Sequence, residues 1–329
     1  MKVFVSGGAG YIGSTVAQQL LDAGHSVTIY DNLSNGHLAA IPAAATFVRG
    51  DTLDRVALDA VLAGAGFDAV LHFAAFIEAG ESMREPGRFF RNNVTGSLTL
   101  IEAAVSHGVG QFVFSSTAGV YASKDGPLAE DDPVAPSSVY GATKHVVEQA
   151  LEWYARIHGL RVAVLRYFNA AGAAPGYGEA HRPETHLIPL VLQVALVQRE
   201  NVAVFGDDYP TPDGACIRDY IHIEDLASAH VLALGGLADR PFMRYNLGNG
   251  NGYSVLEVVE TARRVTGHSI PAVVRPRRPG DPAILIASSA AIRRDLGWQP
   301  RHPDLHEIVE SAWQWHRTHP HGYGETHGT

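Results

Sequence analysis

The chain has 329 residues, enough for one large domain or two smaller ones, and its 46% apolar content is ordinary for a globular core. A formal charge of −9 argues against a nucleic-acid groove or an anionic membrane surface as its main partner. The single cysteine, Cys216, excludes an internal disulfide and fits a reducing cytoplasm; no apolar run reaches the ~18 residues of a membrane span, and the first five residues run straight into glycines, unlike a signal peptide.

Lys2–Ser6 is a short run of β-branched and aromatic residues, the pattern of a buried strand. Gly7-Gly8-Ala9-Gly10-Tyr11-Ile12-Gly13 follows, and Ile12, Val16, Leu20 and Leu21 form a helical stripe behind it. Strand, glycine turn and helix make a dinucleotide site. The glycines let the backbone approach a pyrophosphate, and the helix start offers it unpaired N–H groups. A second strand, residues 26–30, ends at Asp31. That carboxylate can accept both hydroxyls of an adenosine ribose and would repel a 2′-phosphate, which favours NAD over NADP. Asn32, Leu33, Ser34, Asn35 and Gly36 make the next loop. A third strand near residues 46–48 leads to Gly50-Asp51-Thr52, where Asp51 serves either an adenine amino group or a turn. A fourth, residues 68–75, ends in Phe73, Ala74 and Ala75, small enough at its tip for a ligand to pass closely. Pro86 precedes a helical pattern over residues 89–107 that carries Asn92 and Asn93 near its start. The fifth strand, residues 111–114, runs into Ser115-Ser116-Thr117, hydroxyls at the end of a parallel strand where doubly wound sheets bind ligands.

An acidic, proline-containing loop then leads to Tyr140-Gly141-Ala142-Thr143-Lys144. Val146, Val147, Ala150, Leu151 and Tyr154 continue at helical spacing, so Tyr140 and Lys144 share a face. An ammonium beside a phenol lowers a pKa that starts near ~10, and a tuned phenol can take a proton from a sugar hydroxyl. The same spacing also occurs on plain solvated helices. A sixth strand, residues 160–166, ends at Tyr167-Phe168-Asn169. Residues 1–169 therefore read as a doubly wound parallel α/β sheet that binds NAD. Residues 170–329 read mainly as a smaller α/β substrate subdomain, with about 217–248 returning to the first sheet. Within the second part, residues 170–185 read as loop, and His186 and Leu187 open a helix to about residue 198. Residues 202–205 read as a strand, and helices are expected near 223–234, 254–266 and 306–317. The stretch Arg275-Pro276-Arg277-Arg278-Pro279-Gly280-Asp281 suits a phosphate or ribose, or is an exposed basic loop. His316, His319, His321 and His327 fall in a glycine-containing tail that reads as a flexible end. With no His-x-x-x-His or Cys-x-x-Cys pattern, no metal is expected.

Together these motifs resemble the extended short-chain dehydrogenase/reductases, and within them the UDP-glucose (UDP-galactose) 4-epimerases. The resemblance spans nearly the whole chain. Its general marks are the glycine turn and Tyr140-x-x-x-Lys144. More specific are Asp31-Asn32-Leu33, Gly80-Glu81-Ser82, Asn92-Asn93-Val94, Ser115-Ser116-Thr117 and Arg166-Tyr167-Phe168-Asn169. Most specific is Gly206-Asp207-Asp208-Tyr209-Pro210-Thr211 through Arg218-Asp219-Tyr220-Ile221-His222, with Arg278-x-Gly280-Asp281 after it.

The resemblance implies a Rossmann fold, a tightly held NAD and reversible epimerisation of UDP-galactose and UDP-glucose at C4. It makes Tyr140 the base at the sugar O4. Lys144 lowers the phenol pKa and bonds the nicotinamide ribose, and Thr117 bridges the phenol and O4. It assigns the cofactor to Gly7, Gly10, Tyr11, Ile12, Gly13, Asp31, Asn32, Leu33, Asn35, Asp51, Thr52, Phe73, Ala74, Ala75, Asn92, Ser115, Tyr140, Lys144, Tyr167 and Phe168. The UDP-sugar falls to Thr117, Tyr140, Asn169, His186, Leu187, Val204, Phe205, Arg218, Tyr220, Arg278 and Asp281. A cytoplasmic homodimer of carbohydrate metabolism follows by analogy, paired through the helices after strands four and five. Four positions depart from or vary within the pattern: Thr117 for serine, Ile77 for lysine, His186 for asparagine, and Leu285 at a position read as gating the space for an N-acetyl group. The alternatives are a UDP-N-acetylglucosamine or UDP-uronate 4-epimerase, a dehydratase and a non-catalytic NAD-sensing protein. A dehydratase needs an Asp-Glu pair where Ala118-Gly119 stands; a sensor can dispense with Tyr140 or Lys144.

Overall fold

The computed structural model describes residues 1–278 and 281–324. Pro279 and Gly280 of the expected phosphate loop, and His327 of the histidine-bearing tail, lie outside them. The strands in chain order are β1 (Lys2–Ser6), β2 (Ser26–Asp31), β3 (Thr46–Arg49), β4 (Ala69–His72), β5 (Gln111–Thr117), β6 (Arg161–Tyr167), β7 (Asn169–Ala171), β8 (Val202–Phe205), β9 (Ile217–His222), β10 (Phe242–Leu247), β11 (Gly252–Ser254), β12 (Ala272–Arg275) and β13 (Ile284–Leu285).

Seven of them form one parallel sheet in the order β10-β6-β5-β4-β1-β2-β3. Side chains alternate across such a sheet, so each strand feeds two cores. Val3, Val5, Ile29 and Leu71 face one side, packed with Val16 and Leu20 of the helix Tyr11–Asp22 and with the helix Ile223–Gly236. Phe4, Tyr30, Phe112 and Phe114 face the other, against Leu100, Ile101, Val147 and Leu151. Burial on both faces is why these strands are apolar without interruption, each large side chain contributing roughly 1.5–3 kcal/mol. The strand order reverses between β1 and β4, which opens a crevice at their carboxyl ends.

The helical stretch after Pro86 is not uniform. It runs as Pro86–Phe89, a π-helical turn Phe90–Thr95, then Gly96–Ser106. The wider turn sits at Asn92 and Asn93, and such turns cluster at functional sites. The helix Arg55–Leu62, capped by Asp54 accepting from Ala57 N at 3.0 Å, buries only Leu58 and Leu62 and leaves little periodic signal.

The second half builds a third core from Val191, Leu192, Val258, Ile308 and Val309, with two small sheets beside it. β7 pairs with β9, which also pairs with β11 and β13; β8 pairs with β12. Asn169–Ala171 is thus strand where loop was expected to begin at residue 170, because Asn169 registers with Tyr220. The tail is packed through Gly324. His319 stacks on Trp315 with ring centroids 3.7 Å apart, and Gly178 N donates to the Tyr323 hydroxyl at 3.1 Å. This corrects the expectation of a flexible end for the described part of the tail. Among the described residues no helix is long and apolar enough to cross a membrane.

Candidate active site

The glycine turn joins β1 to the helix Tyr11–Asp22. Gly7 has φ +75° and lies so close to β4 that a Cβ there would collide with the Ala74 backbone nitrogen. A Cβ on Gly13 would strike the Gly7 carbonyl. No side chain caps this helix, whose N-terminus is Gly10, leaving its first N–H groups for an anionic ligand. At the end of β2, Asp31 Oδ2 accepts from Ala9 N at 3.0 Å and Oδ1 from Leu33 N at 2.8 Å. Burial pushes the Asp31 pKa up, and those two amides oppose the shift. Asn32 Nδ2 donates to Asp51 Oδ2 at 2.8 Å, linking the tips of β2 and β3.

These groups line a cavity of ≈ 290 Å³ that extends to Tyr140 and Lys144. Of the cofactor residues expected from sequence, all but Leu33 line it. Leu33 stands apart: at φ +62° it turns the chain so that its amide reaches Asp31, and its side chain is not among those lining the cavity. Ile77, where a lysine contact was expected in relatives, lines the cavity as an apolar residue.

A second cavity of ≈ 260 Å³ adjoins the first, and Asn169, Ala170, Glu179 and His186 line both. Leu187, Phe205, Arg218, Tyr220 and Arg278 also line the second. Two assigned residues, Val204 and Asp281, lie outside the lining. Val204 is 1% exposed and alternates away from Ala203 and Phe205 on β8. Asp281 lines neither cavity; it accepts from Arg278 Nε at 2.8 Å and lies 3.7 Å from Arg218, so it positions both arginines. Leu285 also faces neither cavity. It packs with Phe168 against Val120, Tyr121 and Leu128.

Tyr140 and Lys144 stand on the helix Val139–His158, whose N-cap Ser138 accepts from Gly141 N at 3.1 Å. Gly141 lets this helix press on the turn after β5, since a Cβ there would strike the Gly119 carbonyl. That close approach brings Thr117 to the phenol. The Thr117 hydroxyl favours the phenolate, yet burial dominates and pushes the Tyr140 pKa up to about 12, with Glu78 adding to it. Burial pulls the Lys144 pKa down to about 7, against the attraction of Glu148. Lys144 Nζ donates to the Ser115 carbonyl at 2.8 Å. Among the described residues no hydrogen bond joins it to Tyr140. The lowered phenol pKa expected from i,i+4 spacing is therefore not produced by the protein groups alone: desolvation outweighs a lysine engaged elsewhere.

The contacts that support the site were not legible from sequence. Arg166 Nε donates to Glu148 Oε1 at 2.9 Å in an ion pair whose side chains are each 1% exposed. Asn93 accepts from Phe76 N at 2.8 Å and donates to Phe76 O at 2.9 Å, holding the loop after β4. Glu179, His181, Glu184 and His186 meet at the wall between the cavities, a Glu-x-His-x-x-Glu-x-His spacing outside the patterns searched for metal ligands. The carboxylates there hold the His186 pKa well above the usual imidazole range, and the imidazoles hold Glu179 well below the usual carboxylate range.

A cavity at the β1/β4 reversal, reached by a glycine turn on one side and a Tyr-x-x-x-Lys helix on the other, marks a nucleotide-dependent α/β enzyme. Residues 3–248 match the model of the NAD dependent epimerase/dehydratase family, and the chain belongs to that family. It is 51% identical over 327 residues to a UDP-glucose 4-epimerase of Halalkalibacterium halodurans, covering 98% of each chain. It superimposes on a crystal structure of UDP-glucose 4-epimerase with a TM-score of 0.96 at 49% identity, covering 99% of this chain and 100% of that one. A second such structure, from Stenotrophomonas maltophila with bound NAD and formylated UDP-arabinopyranose, gives 0.93 at 42% identity, with 97% and 99% covered.

Proposed function

We propose that the chain interconverts UDP-galactose and UDP-glucose at C4, using a tightly held NAD. The observation that carries this reading is the shared wall. Thr117, Tyr140 and Lys144 stand in the first cavity, beside Asn169 and His186, which open onto the second, where Arg218 and Arg278 wait. The kinship with UDP-glucose 4-epimerases supports it.

The residues present fit NAD. The glycine turn and uncapped helix suit a pyrophosphate, Asp31 suits an adenosine ribose, and Ser115 and Lys144 suit the nicotinamide end. NAD would supply a reversible hydride acceptor at the sugar C4. Tyr140 takes the proton from O4 and returns it, with the Thr117 hydroxyl holding both oxygens. Its phenol ionises against burial, so positive charge arriving beside it favours the reaction. Arg218 and Arg278 supply the charge-assisted donors a diphosphate needs. Holding the substrate by its nucleotide leaves the hexose free to present either face. Incubation of the purified chain with UDP-galactose and NAD, followed by chromatography, should yield UDP-glucose; no product would overturn the reading.

A cytoplasmic homodimer fits the same chain. Val146, Trp153 and Ile157 lie exposed at one-face spacing on the helix Val139–His158, and Cys216 is free. Sedimentation at monomer mass would refute the dimer, and fractionation outside the cytoplasm would refute the compartment.

A further inference from the structure

We propose that Glu179, His181, Glu184 and His186 bind one divalent metal ion of the zinc class in the wall between the two cavities. Each offers one ligand atom, and the four atoms lie within 4.8 Å of one another. His186 Nδ1 is 2.8 Å from Glu179 Oε1 and 2.8 Å from Glu184 Oε1. His181 Nδ1 is 3.0 Å from Glu179 Oε1 and 3.9 Å from Glu184 Oε2. A tetrahedral zinc with nitrogen and oxygen ligands at ~2.0–2.2 Å sets its neighbouring ligands roughly 3.3–3.5 Å apart. The observed separations bracket that edge, so small side-chain shifts complete the shell.

The chemistry agrees with the geometry. Two imidazoles and two carboxylates are donors that zinc-class ions accept. Among the described residues, the ion pairs of Glu179 and Glu184 are to these two histidines. Glu179, 4% exposed, and Glu184 present two carboxylates here, and a divalent ion held between them and two neutral imidazoles would balance both charges. Supporting bonds aim the ligands: Glu184 Oε1 accepts from Thr185 N at 2.7 Å and His186 N at 2.8 Å, leaving Oε2 turned toward His181. The other cluster of this kind, His222, Glu224 and His302, differs. His222 Nδ1 accepts from Glu224 N and Nε2 meets Ser311 Oγ, so both nitrogens are engaged. The proposed ion ties a segment that enters both cavities, and it rests on this cluster rather than on the epimerase reading.

The test uses the full chain made without a histidine tag, stripped with EDTA and titrated with zinc chloride. The expected result is one zinc per chain, retained through gel filtration and read by elemental analysis, with a higher melting temperature than the stripped protein. His181→Ala and Glu179→Gln should each weaken zinc binding at least ~10-fold, while His302→Ala leaves it unchanged. Cobalt substitution of the unaltered chain should give the visible bands of four-coordinate nitrogen and oxygen ligation, a readout that needs no variant. No retained zinc, zinc binding equally tight in His181→Ala, or cobalt bands of six-coordination would overturn the site and leave a cluster of carboxylates paired with protonated imidazoles. Metal content is independent of turnover, so either proposal can fail without the other.

Discussion

Lys144 Nζ donates to the carbonyl oxygen of Ser115 at 2.8 Å, tying the helix Val139–His158 to the carboxyl end of β5. The bond holds the ammonium at the cavity that Thr117 and Tyr140 also line, and burial brings its pKa to about 7. Lys144→Met keeps most of the buried stem and removes the ammonium. It should lower kcat by about 10²-fold or more, the scale of a lost acid–base assistant, with little loss of thermal stability. Steady-state kinetics with a melting curve checks this; kcat within a few-fold of the unaltered chain would show that the ammonium is not part of the reaction.

Tyr140→Phe tests the phenol itself. The residue is half-buried and its backbone N donates to Ser82 Oγ at 3.1 Å, so phenylalanine keeps the packing and the backbone bond. Epimerisation should fall by about 10²–10⁴-fold while NAD binding stays within a few-fold. Near-normal turnover in the variant would remove Tyr140 from the role of base.

Asp31 meets the Ala9 and Leu33 amides, and Leu33 holds a left-handed φ of +62° to keep that bond. Asp31→Ala leaves both amides without this partner and removes the acceptor for a ribose. NAD affinity should drop by roughly 10- to 150-fold, the equivalent of one charge-assisted bond at about 1.5–3 kcal/mol. Calorimetric titration with NAD measures it, and unchanged affinity would count against Asp31 as the ribose acceptor.

The first half of this fold was legible because its signals are local or doubled. Lys2–Ser6 and Ala69–His72 are apolar on both faces, the glycine turn needs its glycines, and Tyr140 stands on a helix with its own stripe. What stayed hidden depends on partners distant in sequence. β7 and β13 are three and two residues long and exist only by pairing with β9. Glu148 reads as an ordinary helix residue, and its ion pair with Arg166 is invisible until the fold buries them together. The Glu179–His186 cluster forms on an irregular loop, where no helical or strand period announces which side chains converge. The burial that opposes the phenol's ionisation was hidden for a related reason: spacing reveals a neighbouring charge but not how deeply both groups are buried.

His230 offers a test of the fold through pH. It is fully buried, its Nδ1 donates to Leu226 O at 2.8 Å, and its ring lies 5.1 Å from that of Phe73 and 5.6 Å from that of Tyr167. Burial lowers its pKa to about 4, with the Leu226 bond opposing the shift. The unfolded chain takes up this proton near pH ~6.5, while the folded chain stays neutral until about 4. Between those values the unfolded state binds more protons, so stability falls as pH falls, by up to about 1.4 kcal/mol per pH unit for one such group. His72 and His222, lowered to about 3 and about 4 by burial, add slopes of the same sign. His230→Leu removes one of them. At neutral pH it should cost about 0.5–1.5 kcal/mol for the lost hydrogen bond. Below the imidazole range its urea midpoint should decline less steeply than that of the unaltered chain. Parallel declines would mean that His230 already carries its proton in the folded core.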